Sequence, residues 1–216
     1  MATRALLAEL TTAFTAATGR PVQIESVGGV DAAKRVAAGE AFDLVILASD
    51  AIDRLIAAGH LAPGRIDLVR SAVAVAVPEG QPVPALTDEA ALRAAVLAAP
   101  TIGYSTGPSG VALQALFARW GLSDELARRT VQAPPGVPVA SLVAQGQVAL
   151  GFQQLSEMLN VPGITLAGTL PADVAIVTTF SAGLPAGGLP RVQGLLDHLN
   201  STAAAEVKRR HGMDPA

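Results

Sequence analysis

Residues 28–50 read GGVDAAKRVAAGEAFDLVILASD. The glycine pair Gly28-Gly29 marks a turn, and a short helix over about 30–38 stops at Gly39. Asp43 to Ala48 is an almost continuous apolar run of the kind found in a parallel sheet covered on both faces. Ser49 or Asp50 then supplies the cap of a helix that stops at Gly59. Two helix starts therefore open from the ends of adjacent strands. A helix N-terminus presents free N–H groups and a partial positive charge, so the pair suits a small oxyanion or carboxylate.

Composition narrows the field. The chain has 216 residues, 50% hydrophobic and 15% charged, enough for one large domain or two lobes with a real core. Aromatics are 3% and the net charge is −3 without a basic run, which argues against nucleic acid. With no cysteine, disulfides, thiolate metal sites and cysteine nucleophiles are excluded. The three histidines, His60, His198 and His211, fall at helix ends or on C-terminal helices, and no metal-ligand or nucleophile motif appears. No cofactor and no metal are expected. No apolar run nears the roughly 20 residues of a membrane span, and Met1-Ala2-Thr3-Arg4 opens no signal peptide.

Outward from the opening stretch, a helix is expected over 3–18, where Leu6, Leu10, Phe14 and Ala17 share a face. A strand is expected over Val22–Ser26 and a long one over 67–77. The turn-rich segment 78–84 is the best internal boundary. Beyond it follow a helix over 88–98, a strand over 101–105, and a helix carrying Leu113, Leu116, Phe117 and Trp120. Then come a short helix near 124–129, a strand over 130–132, a proline-rich turn at 134–138 and a helix over 139–145. A strand over 147–151, a helix over 153–159 and a second long strand from Pro171 to Phe180 precede two C-terminal helices. Strand–helix alternation in both halves indicates α/β lobes with mainly parallel sheets. Lobe one takes 1–75 plus 180–216 and lobe two 76–179, with a ligand cleft between them and two crossover strands.

The segments Gly28–Asp31, Ala38–Ala48, Tyr104–Gly110 and Leu142–Gly151, in that order and spacing, resemble the type-2 periplasmic solute-binding proteins over nearly the whole chain. The closest branch is the molybdate-binding-protein-like group. The periplasmic aconitate isomerases, enzymes on the same scaffold, are a related branch. Two features depart from the pattern. Met1 stands where the loop after the family's first strand belongs, so the resemblance leads to the expectation of a lobe-one sheet lacking that strand and of no signal peptide in the given residues, through a misplaced start, a trimmed sequence or a shorter sheet. Molybdate binders place a serine pair after the second strand and a tyrosine after the strand matching 147–151. This chain has Gly28-Gly29 and Gln153-Gln154 there, which favours a carboxylate over a tetrahedral oxyanion.

The resemblance and the helix starts together give a set of candidate ligand contacts. Ser105, Thr106, Ser109 and Gly110 offer hydroxyls and N–H groups where a strand ends and a helix begins. Gly28, Gly29 and Val30 permit close backbone approach. Ser49 ends the 43–48 strand, and Asp31 and Asp50 serve as caps. Thr3 and Arg4 open the first helix, where an arginine opposes the dipole unless an anion is near. Arg70 and Ser71 lie on the long strand before the crossing. Gln153 and Gln154 each bring an amide donor.

The resemblance implies a monomeric binding protein that delivers a small anion, an organic carboxylate, to an ABC transporter permease. It implies no nucleic acid partner and no membrane insertion. Location would be periplasmic by family, or cytoplasmic if the sequence is read as the whole gene product. A second reading is an isomerase of an unsaturated tricarboxylic acid, and a third is a molybdate or tungstate binder. Catalysis by a 1,3-proton shift needs a base as well as donors. Asp31, Asp50 and Glu157 are the carboxylates near the loops, and each has a capping or surface explanation. The balance therefore favours binding over an enzyme, and no catalytic residue is assigned.

Overall fold

The computed structural model describes all 216 residues. The chain divides into two compact units, Met1–Ser71 with Thr179–Ala216, and Ala72–Thr178. The proline-rich turn at 78–84 lies inside the second unit.

The first unit opens with helix α1 (Arg4–Thr18), closed by Gly19 in the left-handed conformation. Helix α2 (Gly29–Ala37) follows, then strand β1 (Val45–Ala48) and helix α3 (Ser49–Ala57). Strand β2 (Ile66–Pro78) begins in this unit and ends in the second. β7 (Val177–Gly183) makes the return crossing, and α8 (Leu189–Leu199), α9 (Thr202–Arg210) and β8 (Asp214–Pro215) complete the unit. β1 pairs antiparallel with β7, and β8 pairs antiparallel with β2. Leu6, Leu10 and Phe14 of α1 pack with Leu195, Leu196 and Leu199 of α8 against Leu68 and Val69 of β2. That stripe is the one the helical spacing of α1 announces.

The second unit contains α4 (Glu89–Ala98), β3 (Ile102–Tyr104), α5 (Pro108–Arg119), α6 (Ser123–Leu126), β4 (Thr130–Gln132), α7 (Val139–Ala144), β5 (Leu150–Gln154) and β6 (Ile164–Thr169). β4, β3 and β5 run parallel in that order, while β2 pairs antiparallel with both β5 and β6. The fold is α/β as expected, and its sheet is mixed: the mainly parallel arrangement expected of both lobes holds for β4-β3-β5, while the other pairings are antiparallel. An apolar run establishes that a strand is buried on both faces and leaves its direction undetermined.

Three expected elements differ. Val22–Ser26 alternates as a strand should, yet it forms none. No neighbour takes its backbone groups, and Ile24 and Val27 stay exposed. The expected helix over 153–159 starts later and shrinks to a single 3-10 turn, Leu155–Glu157. Gln153 and Gln154 instead belong to β5, opposite Ala74 and Val73 of the central strand β2. The Val73–Gln154 pair is a non-hydrogen-bonded one, since Val73 N–H donates to Ile176 O and Val73 O accepts from Leu170 N–H. The long strand expected from Pro171 breaks into a 3-10 turn over Ala172–Val174 and β7 from Val177. No helix is long and apolar enough to cross a membrane.

Within the first unit a short chain of hydroxyls fixes β7. Ser181 Oγ donates to Asp67 Oδ1 at 2.6 Å and lies 2.6 Å from Ser49 Oγ. The Ser181 hydroxyl, helped by Arg65, holds the Asp67 carboxyl below its ordinary value. A depressed carboxyl contributes stability above its unfolded value of about 3.8 and loses it as pH falls through the folded value. Ser181→Ala is therefore expected to cost about 1–3 kcal/mol at pH 7 in urea unfolding, with the deficit narrowing at acid pH below the ordinary carboxylate range.

Candidate functional site

The parallel register of β3 and β5 sets Ile102 beside Leu150 and Gly103 beside Gly151, so both strands end at the same edge of the second unit. Ligands of open α/β sheets bind outside the carboxyl ends of parallel strands. Two loops leave that edge: Ser105–Gly107 into α5, and the 3-10 turn over Leu155–Glu157.

The first loop is held by one missing side chain. A Cβ on Gly110 would lie 1.8 Å from the Ser105 carbonyl oxygen, so α5 begins directly against the loop that feeds it. Pro108 occupies the first turn, where its lack of N–H costs nothing. Gly107 N–H donates to Ser105 Oγ at 3.3 Å, and Ser105 Oγ lies 3.1 Å from Ser109 Oγ. Gly110 and Val111 both donate to the Gly107 carbonyl.

Counting protons shows what remains for a ligand. Ser105 and Ser109 share one hydrogen bond, so one of their two O–H groups stays uncommitted. Thr106 Oγ1 and Ser109 N–H have no acceptor within the protein. Ser109 is buried, and Ser105 and Thr106 are half-buried. α5 carries no side-chain cap and no acid in its first turn, unlike α4 and α9, capped by Asp88 and Ser201. Three donors thus meet at an uncapped helix start of positive sign, which suits a carboxylate or another oxyanion.

The same count removes Ser49. Ser181 gives its proton to the Asp67 carboxylate, and Ser49 gives its own inward, to Thr179 O at 3.0 Å or to Ser181. No O–H of this pair is left to face an anion. Ser49 is the first residue of α3 rather than its cap, and Asp50 pairs with Arg54 at 2.9 Å. Asp31 likewise leaves α2 uncapped.

The other expected contacts disperse. Gly28 and Gly29 precede and open α2 with ordinary φ values, so backbone conformation does not require glycine there. A Cβ on Gly29 would meet open space, and Val30 is exposed. Thr3 is buried beside Leu6, Leu10 and Lys208, whereas Arg4 and Arg70 are exposed. Ser71 is fully buried and its hydroxyl has no partner.

Gln153 is buried, and its Oε1 accepts from Ala140 N at 3.2 Å, capping α7 from the neighbouring strand. This role was invisible in sequence because the partners are 13 residues apart. Gln154 Nε2 donates to Thr178 Oγ1 at 2.7 Å, leaving Gln154 Oε1 buried without a partner. Glu157 is half-buried at the end of the 3-10 turn. Burial pushes its carboxyl above the ordinary value, and a hydrogen bond with Gln153 opposes the shift.

A family model described as bacterial extracellular solute-binding protein matches residues 1–214. The chain belongs to that family. Among curated relatives, the aconitate isomerase of Pseudomonas sp. is 34% identical over 96% of this chain and 82% of its own length. Among solved structures, the periplasmic molybdate-binding protein of Azotobacter vinelandii superposes with a TM-score of 0.78 at 20% identity, covering 98% of this chain and 94% of that one. L-phospholactate-bound PEB3, the Campylobacter jejuni protein, gives 0.78 at 15% identity, covering 99% and 96%. These structural likenesses establish the periplasmic-binding-protein fold of this solute-binding chain.

Two substitutions test the local physics. Gly110→Ala is expected to destabilise by about 2 kcal/mol or more in thermal unfolding, while Gly29→Ala is neutral or slightly stabilising. For Glu157 the raised value means that its contribution is favourable below its unfolded value near 4.5 and is lost as pH rises through the folded value. Glu157→Gln should therefore raise the melting temperature at pH 8 and leave it unchanged near pH 4.

Proposed function

We propose that this solute-binding protein holds a small organic polycarboxylate at the carboxyl ends of β3 and β5 and delivers it to an ABC-type importer. The observation that carries this reading is the set of uncommitted donors: Thr106 O–H, Ser109 N–H and one hydroxyl of the Ser105/Ser109 pair. Each hydrogen bond to a charged oxygen contributes about 1.5–3 kcal/mol. The relative at 34% identity, named for action on aconitate, supports a carboxylate over a metal oxyanion.

Glu157 favours a second reading, isomerisation of an unsaturated tricarboxylate. A half-buried carboxyl with a raised proton affinity is suited to accept a proton from carbon. It would take a proton from the methylene carbon and return it to the far end of the allylic system, so that the double bond moves and the composition is unchanged. The donors at 105–109 would hold the negative charge that develops on the neighbouring carboxylate.

Calorimetric titration with trans-aconitate, molybdate, tungstate and phosphate tests the first reading. Saturable binding of the carboxylate is expected, weakened about tenfold or more by Thr106→Val. Ser109→Ala alone is a weaker probe, because Ser105 then keeps a free O–H. Binding of molybdate with no response to carboxylates would overturn the proposal. Incubation with trans-aconitate, followed by proton NMR for the cis isomer, tests the second reading; unchanged substrate would remove it and leave the first standing.

A further inference from the structure

Gln154 is 3% exposed, and only one end of its side-chain amide is used. Nε2 donates to Thr178 Oγ1, while Oε1 is enclosed without a donor. Two residues on, Ser156 Oγ is also enclosed and unpartnered. Gln154 is the last residue of β5 and Ser156 lies in the turn that follows; earlier in β5, Leu150 and Gly151 pair with Ile102 and Gly103 of β3, the strand that feeds the Ser105–Gly110 loop. Enclosed polar atoms left unpaired cost free energy, and a native structure offers each a partner. In the turn that follows, the Met158 and Leu159 N–H groups donate to the Leu155 carbonyl, and neither reaches these side chains' oxygens.

With Nε2 on the Thr178 hydroxyl, the atom left over is an oxygen, and its missing partner must be a donor. An amide oxygen only accepts, so a carboxylate, a phosphate dianion or molybdate cannot satisfy it. A hydroxyl can, and Ser156 Oγ can exchange a second hydrogen bond with the same kind of group. We infer that Gln154 and Ser156 form a hydroxyl-recognising subsite, so that the preferred ligands are hydroxylated polycarboxylic acids. The inference rests on the carboxylate reading of the 105–110 loop and deepens it: the loop takes an acid group and the β5 end takes an alcohol. Sites built to hydrogen-bond a ligand hydroxyl discriminate strongly against the analogue that lacks it, because their own polar atoms are then left unpaired.

Matched ligands test this. Citrate and isocitrate carry a hydroxyl on the three-carbon tricarboxylate skeleton, and propane-1,2,3-tricarboxylate carries none. In calorimetric titration of the intact protein, at least one hydroxy acid is expected to bind ten times or more tighter than the plain acid. Gln154→Leu should bring that ratio to within about threefold while the plain acid keeps its affinity. Ser156→Ala, which leaves the Gln154–Thr178 contact in place, should lower the ratio without lowering the melting temperature. Equal affinity of the wild-type protein for all three acids would overturn the subsite and leave the carboxylate reading intact. Failure of all three to bind, with molybdate or phosphate binding instead, would overturn both. The wild-type comparison decides the point even if the Gln154 variant does not fold.

Discussion

The arrangement of the second unit depends on two glycines that face each other across parallel strands. Gly103 and Gly151 are register partners, and a Cβ on either would collide with Val139, Val143 or Val148 at 2.4–3.2 Å. Without those side chains, α7 lies directly on the sheet, with Val139 and Val143 fully buried. That close approach brings the start of α7 within reach of Gln153, whose Oε1 caps it. It also keeps β3 and β5 paired at Gly103 and Gly151, so the Ser105–Gly110 loop and the Gln154–Glu157 turn leave the same edge of the sheet. Gly110 repeats the device at α5, where the helix presses on the carbonyl of Ser105. Close packing at three glycines thus turns two strand ends into one polar edge.

Chemistry at that edge follows from where protons are already spent. Serine pairs occur in both units, at 105/109 and at 49/181, and as residue types they are indistinguishable. The pair at 49/181 is drained by a carboxylate, Asp67, and by a backbone carbonyl. Its neighbours are acceptors, so it locks a strand. The pair at 105/109 has a backbone N–H for its further partner, which consumes a lone pair and leaves an O–H free. The sign of the neighbouring group decides whether such a pair is structural or available to an anion.

This also explains what was legible in the sequence. Helices with clean apolar spacing, such as α1, α5 and α8, and the long strand β2 are readable because burial alone determines them. The 105–110 loop is readable because a strand end, a proline and two glycines occur in a run. Val22–Ser26 misleads because alternation records which side chains could face a core, while a strand also needs a neighbour. Gln153 and Gln154 look like a helix start because the apolar run ends at Phe152, yet the two glutamines stay in the ladder, buried by their pairing with β2. β6 escapes notice because it is half-buried along most of its length, without alternation. Gln153 as a cap and the committed proton of Ser49 lie beyond sequence, since both depend on partners distant in the chain.

The central claim is that the free donors at the start of α5 receive a ligand carboxylate. Amide chemical shifts of the 15N-labelled protein, followed through a titration with trans-aconitate, test it most directly. The account predicts that the largest saturable displacements fall on Thr106, Ser109 and Gly110, with Ser109 moving downfield as its N–H gains a charged acceptor. Saturable binding that leaves residues 105–111 unmoved, with displacements elsewhere in the chain, would contradict it.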